Sequence, residues 1–232
     1  MRIKQNGKYG ENNMLIKESL WIKNAIGNLN LPSGTKILNL GSQDEKYLKQ
    51  QCYIKENIID TCAKKGYQIV NLDIKPGKGV DITGDICKEE LQRKLQKMKI
   101  SVIFLFNILE HVPDIKLMCN SVEKILSKDG YILFSGPYDY PKHLDPIDNL
   151  FRPKPDELLK YFNNFRIVNS VILKDYKYSY YIFRNWRQFF YTLLRILSPF
   201  YKFKKWRTIV IPKLKYFNKP FKITGVILKN DK

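Results

Sequence analysis

Gly41, Asp73, Asp85 and Asn107 each follow a short stretch that reads as a strand. A glycine allows a ligand to approach the backbone closely, because it has no Cβ atom. Asp73 lies 32 residues after Gly41, and its carboxylate can accept hydrogen bonds from both hydroxyls of a ribose. Asp85 can accept a hydrogen bond from the exocyclic amine of a purine. The spacing therefore predicts a pocket for an adenosine group.

A second set of polar residues follows a fifth stretch of this kind, in the segment GPYDYPKHLDPIDNLFRPKPDEL. An imidazole titrates near neutral pH, which makes His143 a candidate general base for a hydroxyl or acid acceptor. Either Asp145 or Asp148 could orient it, and Tyr138 and Arg152 are weaker candidates for acceptor contact. The alternative is a loop histidine that only hydrogen-bonds to the backbone.

The elements that must position these residues alternate between strand and helix. Apolar runs predict strands at 36–40, 68–73, 80–84, 101–107, 131–135, 166–173 and 222–228. Helical spacing predicts helices at 14–29, 44–65, 88–97, 114–127 and 156–162. This order predicts an α/β fold with a doubly wound, mostly parallel seven-stranded sheet. Ligands of such sheets bind beyond the carboxyl ends of the strands, where the strand order reverses.

Four stretches in the same order carry a resemblance to a known family: KILNLGSQ, NLDIKPGKGVDITGDI, FNILEHVPD and LSKDGYILFSGP. They resemble class I S-adenosylmethionine-dependent methyltransferases of the type with an LEHV run after the fourth strand, which act on small-molecule or lipid-linked acceptors. The resemblance covers about residues 34–173 and returns at 222–228. It implies a Rossmann-like fold and S-adenosyl-L-methionine as the cofactor.

The resemblance also implies a role for each residue at the strand ends. Gly41 would lie against the methionine part of the cofactor, and Asp73 would bind the ribose. Asp85 and the backbone of Ile86 would bind the adenine. Asn107 would line the floor of the site, and the same pocket would include Ile74.

The loop after the first strand departs from the family pattern. That pattern reads DxGxGxG, whereas this chain has Asn39, Gly41, Gln43 and Glu45 at the corresponding positions. Only one glycine of the pattern is present. Two alternatives therefore stay open, a methyltransferase with weakened cofactor affinity and a non-catalytic binding protein that keeps the fold.

Glu110 and His111 come directly after the fourth predicted strand. They resemble the end of the Glu-x-x-Glu-His arrangement with which ubiquinone-type O-methyltransferases and small-RNA 3′-end methyltransferases hold a divalent metal, but Asn107 replaces the first glutamate. One carboxylate and one imidazole are too few ligands for a hard cation. The sequence therefore predicts no metal, with both residues shaping the pocket floor or making a structural hydrogen bond.

Positive charge is concentrated in the last third of the chain. The chain has 41 Lys and Arg against 22 Asp and Glu, and residues 152–232 hold 19 of the basic residues but only 4 of the acidic ones. Such an excess favours an anionic partner. Residues 184–198 read as an amphipathic helix with one apolar face that carries Trp186, Phe189, Phe190, Leu193, Leu194 and Leu197.

This pattern predicts that residues 184–207 contact an anionic membrane surface. The alternatives are a helix packed on the core with a solvated basic face and a nucleic-acid surface. Nucleic acid is less favoured because the sequence has no RRM or KH signature.

The domain organisation follows from these elements. It comprises an N-terminal helical extension at 1–33, whose helix should pack at the edge of the domain, and the S-adenosylmethionine-binding α/β domain at 34–173. A basic amphipathic insertion follows at 174–221, and the final strand of the domain lies at 222–232. The four cysteines form no CxxC pair, which is typical of a reduced intracellular protein.

The longest apolar run, at 102–109, is too short to span a bilayer. The sequence thus predicts a cytoplasmic protein with peripheral association at the inner membrane face. The predicted function is methyl transfer to oxygen of a small or lipid- or glycan-linked acceptor. An RNA methyltransferase and a non-catalytic binding protein are the alternatives.

Overall fold

The computed structural model describes residues 14–143, 147–183, 186–200 and 203–231. Seven strands form one sheet in the order β3-β2-β1-β4-β5-β7-β6, in which β7 runs antiparallel to the other six. This confirms the predicted doubly wound, mostly parallel sheet. The strands are β1 (Lys36–Leu40), β2 (Gln68–Asp73), β3 (Ile82–Thr83), β4 (Ile100–Phe106), β5 (Leu126–Asp139), β6 (Phe165–Lys177) and β7 (Pro220–Asn230).

The helices lie between the strands and on both faces of the sheet. They are α1 (Ile16–Asn28), α2 (Glu45–Gln50), α3 (Cys52–Ile54), α4 (Asp60–Lys64), α5 (Glu89–Gln96), α6 (Ile115–Ile125), α7 (Pro155–Leu159), α8 (Tyr178–Phe183), α9 (Trp186–Leu197), α10 (Phe203–Lys205) and α11 (Ile211–Leu214). Helices α8 to α11 form the insertion that the sequence predicts before the last strand. None of the described helices is long and apolar enough to cross a membrane.

The region 44–65 is helical, as predicted, but it is not one helix. Gln51, whose backbone is not helical (φ −125°, ψ 66°), separates α2 from α3. A π-helical turn at Lys55–Ile59 then joins α3 to α4. The buried Gln51 side chain accepts a hydrogen bond from the Tyr53 hydroxyl at 2.7 Å, which stabilises the break.

Alternate residues of the central strands face opposite sides of the sheet. Leu38 and Leu105 pack in one apolar cluster with α5 and α6, and Ile37 and Phe104 pack in a second cluster with α1 and α4. All four of these side chains are fully buried. Coverage of both faces explains why β4 reads as a continuous apolar run.

Helix α1 packs on one face of the sheet, where it contacts the edge strand β6 and the neighbouring β7 and β5. Ile22 and Ile26 are fully buried against the face of the sheet. Trp21 lies so close to β7 that a Cβ atom on Gly225 would sit 3.0 Å from its ring. The physical reason is that a mostly parallel sheet exposes two apolar faces, and α1 covers part of one of them.

Strands β5, β6 and β7 extend beyond the apolar runs that predicted them. Asp129 and Gly130, which precede the predicted strand at 131–135, lie inside β5, which starts at Leu126 because Leu126 pairs with Ile100 across a bulge. Strands β6 and β7 pair along almost their whole lengths, from Phe165 opposite Asn230 onward. Backbone pairing extends these strands through polar residues that carry little strand signal.

Candidate functional site

The carboxyl ends of β1 and β2 bring Gly41 and Asp73 together. The backbone N–H of Gln43 donates to Asp73 Oδ2 at 2.9 Å, and that of Lys75 donates to Oδ1 at 3.0 Å. Asp73 is buried and fastens the loop after β1 to the end of β2. A carboxylate offers about four acceptor positions, so Asp73 can still accept from ligand hydroxyls.

The glycine of the first loop has a specific backbone requirement. Gly41 has φ +62°, a region that residues with a side chain rarely adopt. A Cβ atom there would lie 2.2 Å from Cδ1 of Ile108. The missing side chain at Gly41 therefore makes room for the Ile108 side chain, which packs against the loop after β1.

Three other predicted cofactor residues, which follow β2 and β3, differ in how far they are buried. Asp85 is half-buried, and its Oδ1 accepts the N–H of Cys87 at 2.9 Å. Ile86 is buried and its carbonyl accepts from the Gln92 side chain at 3.0 Å. Ile74 is 68% exposed next to Asp73. Contact of these residues with a cofactor stays a prediction.

Asn107 belongs to a buried polar network that sequence reasoning missed. Its Nδ2 donates to Glu18 Oε1 at 2.7 Å, and the Ser135 hydroxyl donates to the same oxygen at 2.7 Å. The N–H of Leu15 donates to Glu18 Oε2 at 2.9 Å. Burial raises the pKa of Glu18, although these hydrogen bonds oppose the shift. Glu18 lies at helical spacing with Ile22 and Ala25, and this position among apolar residues was the available signal.

His143 is buried in the loop after β5. Its Nδ1 lies 3.4 Å from Asp148 Oδ2 and 3.4 Å from the Pro141 carbonyl oxygen, and its backbone N–H donates to Asp148 Oδ2 at 2.9 Å. Burial lowers the pKa of His143, and the Asp148 charge opposes the shift. Asp148 thus contacts the imidazole as one sequence alternative expected, and Asp145, the other alternative, lies outside the described residues.

Arg152 completes the surroundings of the imidazole. Its Nη2 lies 2.7 Å from Asp148 Oδ2. Burial alone would raise the pKa of Asp148, but the hydrogen bonds from Arg152 and from two backbone N–H groups outweigh it and hold that pKa low. Asp148 therefore stays ionised beside His143. The role of His143 as a catalytic base stays a prediction.

Glu110 and His111 lie beside His143, in a 3-10 turn after β4. The imidazole rings are 5.1 Å apart and nearly perpendicular, and His111 Nε2 lies 3.9 Å from Glu110 Oε1. Burial raises the pKa of Glu110 to about 8. Sequence reasoning considered the first two residues together but did not bring His143 to them, because His143 follows a different strand.

Most of the apolar face of α9 is exposed. Trp186, Leu194 and Leu197 are 67%, 64% and 68% exposed, and Phe200 beyond the helix is 95% exposed. The buried Thr192 lies on a different side of the helix. The exposed cations nearby include Arg187, Lys204 and Arg207. Arg184, Tyr201 and Lys202, also in the predicted surface, lie outside the described residues. This segment therefore exposes both apolar and cationic side chains.

Comparison with known proteins identifies the fold but no family. No protein-family model matches the sequence, and no curated protein matches it either. Among solved structures, a coclaurine N-methyltransferase bound to N-methylheliamine and SAH matches with a TM-score of 0.55 and 13% identity, over 92% of this chain and 71% of that one.

Two further structures show how wide this fold group is. A SAM-dependent methyltransferase from Archaeoglobus fulgidus matches with a TM-score of 0.51 and 13% identity, over 91% of this chain and 92% of that one. The cyclase SpnF matches with a TM-score of 0.55 and 8% identity, over 97% of this chain and 85% of that one. The chain therefore has the Rossmann-like fold of class I methyltransferases, which a cyclase also has.

Proposed function

We propose that this protein transfers a methyl group from S-adenosylmethionine to an oxygen atom of a small or lipid- or glycan-linked acceptor. The observation that carries the proposal is the contact between Asp73 and the loop that contains Gly41 and Gln43. It lies beside the reversal of strand order between β1 and β4, where sheets of this kind bind ligands.

The residues at the strand ends fit an adenosyl cofactor. Asp73 retains acceptor positions for the ribose hydroxyls, and Gly41, at φ +62°, allows the backbone turn that brings the loop after β1 to Asp73. Asp85 and Ile86 would bind the adenine, and Asn107 would line the floor. When bound, the cofactor supplies a methyl group on a positively charged sulfur, and the C–S electron pair returns to sulfur as the new C–O bond forms.

The loop after β5 would hold the acceptor. His143 turns Nδ1 toward Asp148, so Nε2 is the ring atom available to an acceptor. We propose that His143 helps the acceptor hydroxyl to lose its proton, while Asp148 and Arg152 fix the orientation of the ring. The main contribution of the protein is alignment, since proximity and orientation can account for several kcal/mol of a barrier.

A membrane-bound acceptor is the finer part of the proposal. The exposed apolar residues Trp186, Leu194 and Leu197 and the nearby cations suit an anionic membrane surface. Peripheral binding at the cytoplasmic face would bring the acceptor loop to lipid-linked substrates. A nucleic-acid substrate is the less favoured alternative.

Calorimetric titration with S-adenosylhomocysteine tests the cofactor assignment. Binding at micromolar ligand is the expected result, and no binding at millimolar ligand would support the non-catalytic alternative. Because a cyclase has the same fold, a second assay should follow transfer of an isotopically labelled methyl group to candidate acceptors. Binding without transfer to any hydroxyl compound would argue against O-methylation.

A further inference from the structure

Three potential metal ligands converge from two segments of the chain. Glu110 and His111 lie in the turn after β4, and His143 lies in the loop after β5. Each residue offers one ligating atom, and these atoms all lie within 4.8 Å of one another. Ligands bonded to one cation at about 2.1 Å are separated by roughly 3–4 Å, so only small adjustments are needed.

Both imidazoles are oriented by their Nδ1 atoms. His111 Nδ1 lies 2.5 Å from the carbonyl oxygen of Ile147, and His143 Nδ1 faces Asp148 Oδ2 and the Pro141 carbonyl oxygen at 3.4 Å each. Metal-binding histidines typically donate one ring N–H to a carbonyl or carboxylate and bind the cation through the other nitrogen. The two Nε2 atoms are therefore the expected ligand atoms.

The carboxylate of Glu110 provides an independent observation. Its Oε1 is buried and has no hydrogen-bond partner among the described residues. Glu18 is equally buried, yet it accepts hydrogen bonds from Leu15, Asn107 and Ser135. A buried polar atom without a partner is costly. A cation bound between Glu110 and the two imidazoles would remove that cost.

We propose that Glu110, His111 and His143 bind a divalent transition metal, with Zn²⁺ as the preferred ion. Two imidazoles and one carboxylate form a known catalytic zinc ligand set, which leaves a position open for water or substrate. Mg²⁺ and Ca²⁺ prefer oxygen ligands and would bind more weakly. The proposal replaces the sequence expectation of no metal, which counted only Glu110 and His111.

The role of the metal rests on the proposed function. An acceptor hydroxyl in the open position would lose its proton to solvent more readily, because a bound cation lowers the pKa of a coordinated O–H group. The resulting oxygen anion would supply the electron pair of the new C–O bond. His143 Nε2 would then bind the metal instead of contacting the acceptor directly, and hydroxyl compounds that can coordinate a cation are the acceptor class.

Titration of the metal-stripped full chain tests the site without an activity assay. We expect one equivalent of Zn²⁺ to bind by calorimetry. Co²⁺, used as a spectroscopic probe, should give visible absorption bands without the near-ultraviolet charge-transfer band of cysteine ligation. The absence of the charge-transfer band matters because Cys52 and Cys87 are partly exposed and could bind the metal instead.

Variants connect the binding to the three residues. Glu110→Gln, His111→Gln and His143→Gln should each weaken Zn²⁺ binding by about 100-fold or more. Glu89→Gln makes the same change as Glu110→Gln at an exposed position on α5 and should have no effect. Glu110→Gln keeps the shape of the side chain, so it remains informative if a histidine variant does not fold.

Unchanged Zn²⁺ affinity in folded Glu110→Gln, or thiolate bands in the Co²⁺ spectrum, would overturn the proposal. Titration with S-adenosylhomocysteine separates this result from failure of the proposed function. Cofactor binding without a metal site would refute only the metal. A metal site in a protein that does not bind S-adenosylhomocysteine would refute the methyltransferase proposal and leave the site itself standing.

Discussion

The carboxylate of Asp73 is expected to serve both the fold and the ligand. Asp73→Asn should weaken binding of S-adenosylhomocysteine by about 1.5–3 kcal/mol, because it removes a charged acceptor for the ribose hydroxyls. It should also lower stability, since Gln43 and Lys75 donate to that carboxylate. Calorimetry and thermal unfolding measure the two effects separately.

Asp81 provides the matched control for this substitution. The backbone N–H of Asn71 donates to Asp81 Oδ2 at 2.8 Å, so this carboxylate also accepts a backbone hydrogen bond. Asp81 is exposed, however, and lies outside the predicted pocket. Asp81→Asn should leave affinity for S-adenosylhomocysteine unchanged. Equal losses of affinity in both variants would show that the pocket has been placed wrongly.

Two buried thiols should make stability depend on alkaline pH. Burial raises the pKa of both Cys62 and Cys119 to about 12, from 9.0 when exposed. The folded state resists forming these thiolates, so stability is unaffected below pH 9 and falls as pH rises from 9 toward 12. Each thiol contributes at most about 1.4 kcal/mol per pH unit.

Urea unfolding at pH 8 and pH 10.5 measures this effect, and a Cys62→Ala/Cys119→Ala variant should lose less stability between the two values. A thiol reagent at pH 8 should label neither cysteine until the protein unfolds. Rapid labelling of Cys62 or Cys119 in the folded protein would contradict their burial.

At the scale of elements, α1 connects the face of the sheet to the candidate site through Glu18. Glu18→Ala would leave the side chains of Asn107 and Ser135 and the N–H of Leu15 without their acceptor. We expect a loss of at least about 2 kcal/mol in the free energy of unfolding, measured by chemical denaturation. Lys23→Ala, at an exposed position of the same helix, should have little effect.

Sequence patterns predicted the elements whose signals are local. The apolar run of β4 and the alternation of strands and helices along the chain followed from periodicity, because burial on both faces constrains such residues directly. The break at Gln51 and the position of α1 depend on contacts between distant segments. Such contacts cannot be predicted from the pattern of neighbouring residues in the sequence.

The candidate site divides in the same way. Gly41 and Asp73 could be predicted as candidates because strand ends mark their positions in the sequence. Glu18 and the approach of His143 to Glu110 and His111 were missed, since three separate segments supply these residues. Their proximity depends on how α1 and the loops after β4 and β5 pack together.

At the scale of the whole molecule, the charged and apolar surface around α9 predicts binding to vesicles. Sedimentation with vesicles should increase with anionic lipid content and decrease with salt. Arg187→Glu/Lys204→Glu/Arg207→Glu should abolish it, since each cation near an acidic bilayer contributes about 1 kcal/mol.

The control is the variant Lys88→Glu/Lys94→Glu/Lys97→Glu, at exposed positions on and beside α5. It changes the net charge by the same amount as the Arg187/Lys204/Arg207 variant. The control variant should still sediment with anionic vesicles. Equal loss of binding in both triple variants would indicate attraction by net charge alone. Binding of short RNA with a steep salt dependence, without binding to vesicles, would favour the nucleic-acid alternative.

The position of β7 has a consequence for how the protein is made. A ribosome synthesises β7 after every other strand, yet β7 lies between β5 and β6 and pairs with both. Until residues 220–230 emerge, the nascent chain presents β5 with an open edge and leaves β6 without its neighbour. Unpaired edges favour association between chains. Prematurely terminated products that lack β7 should therefore be prone to aggregation and to capture by chaperones.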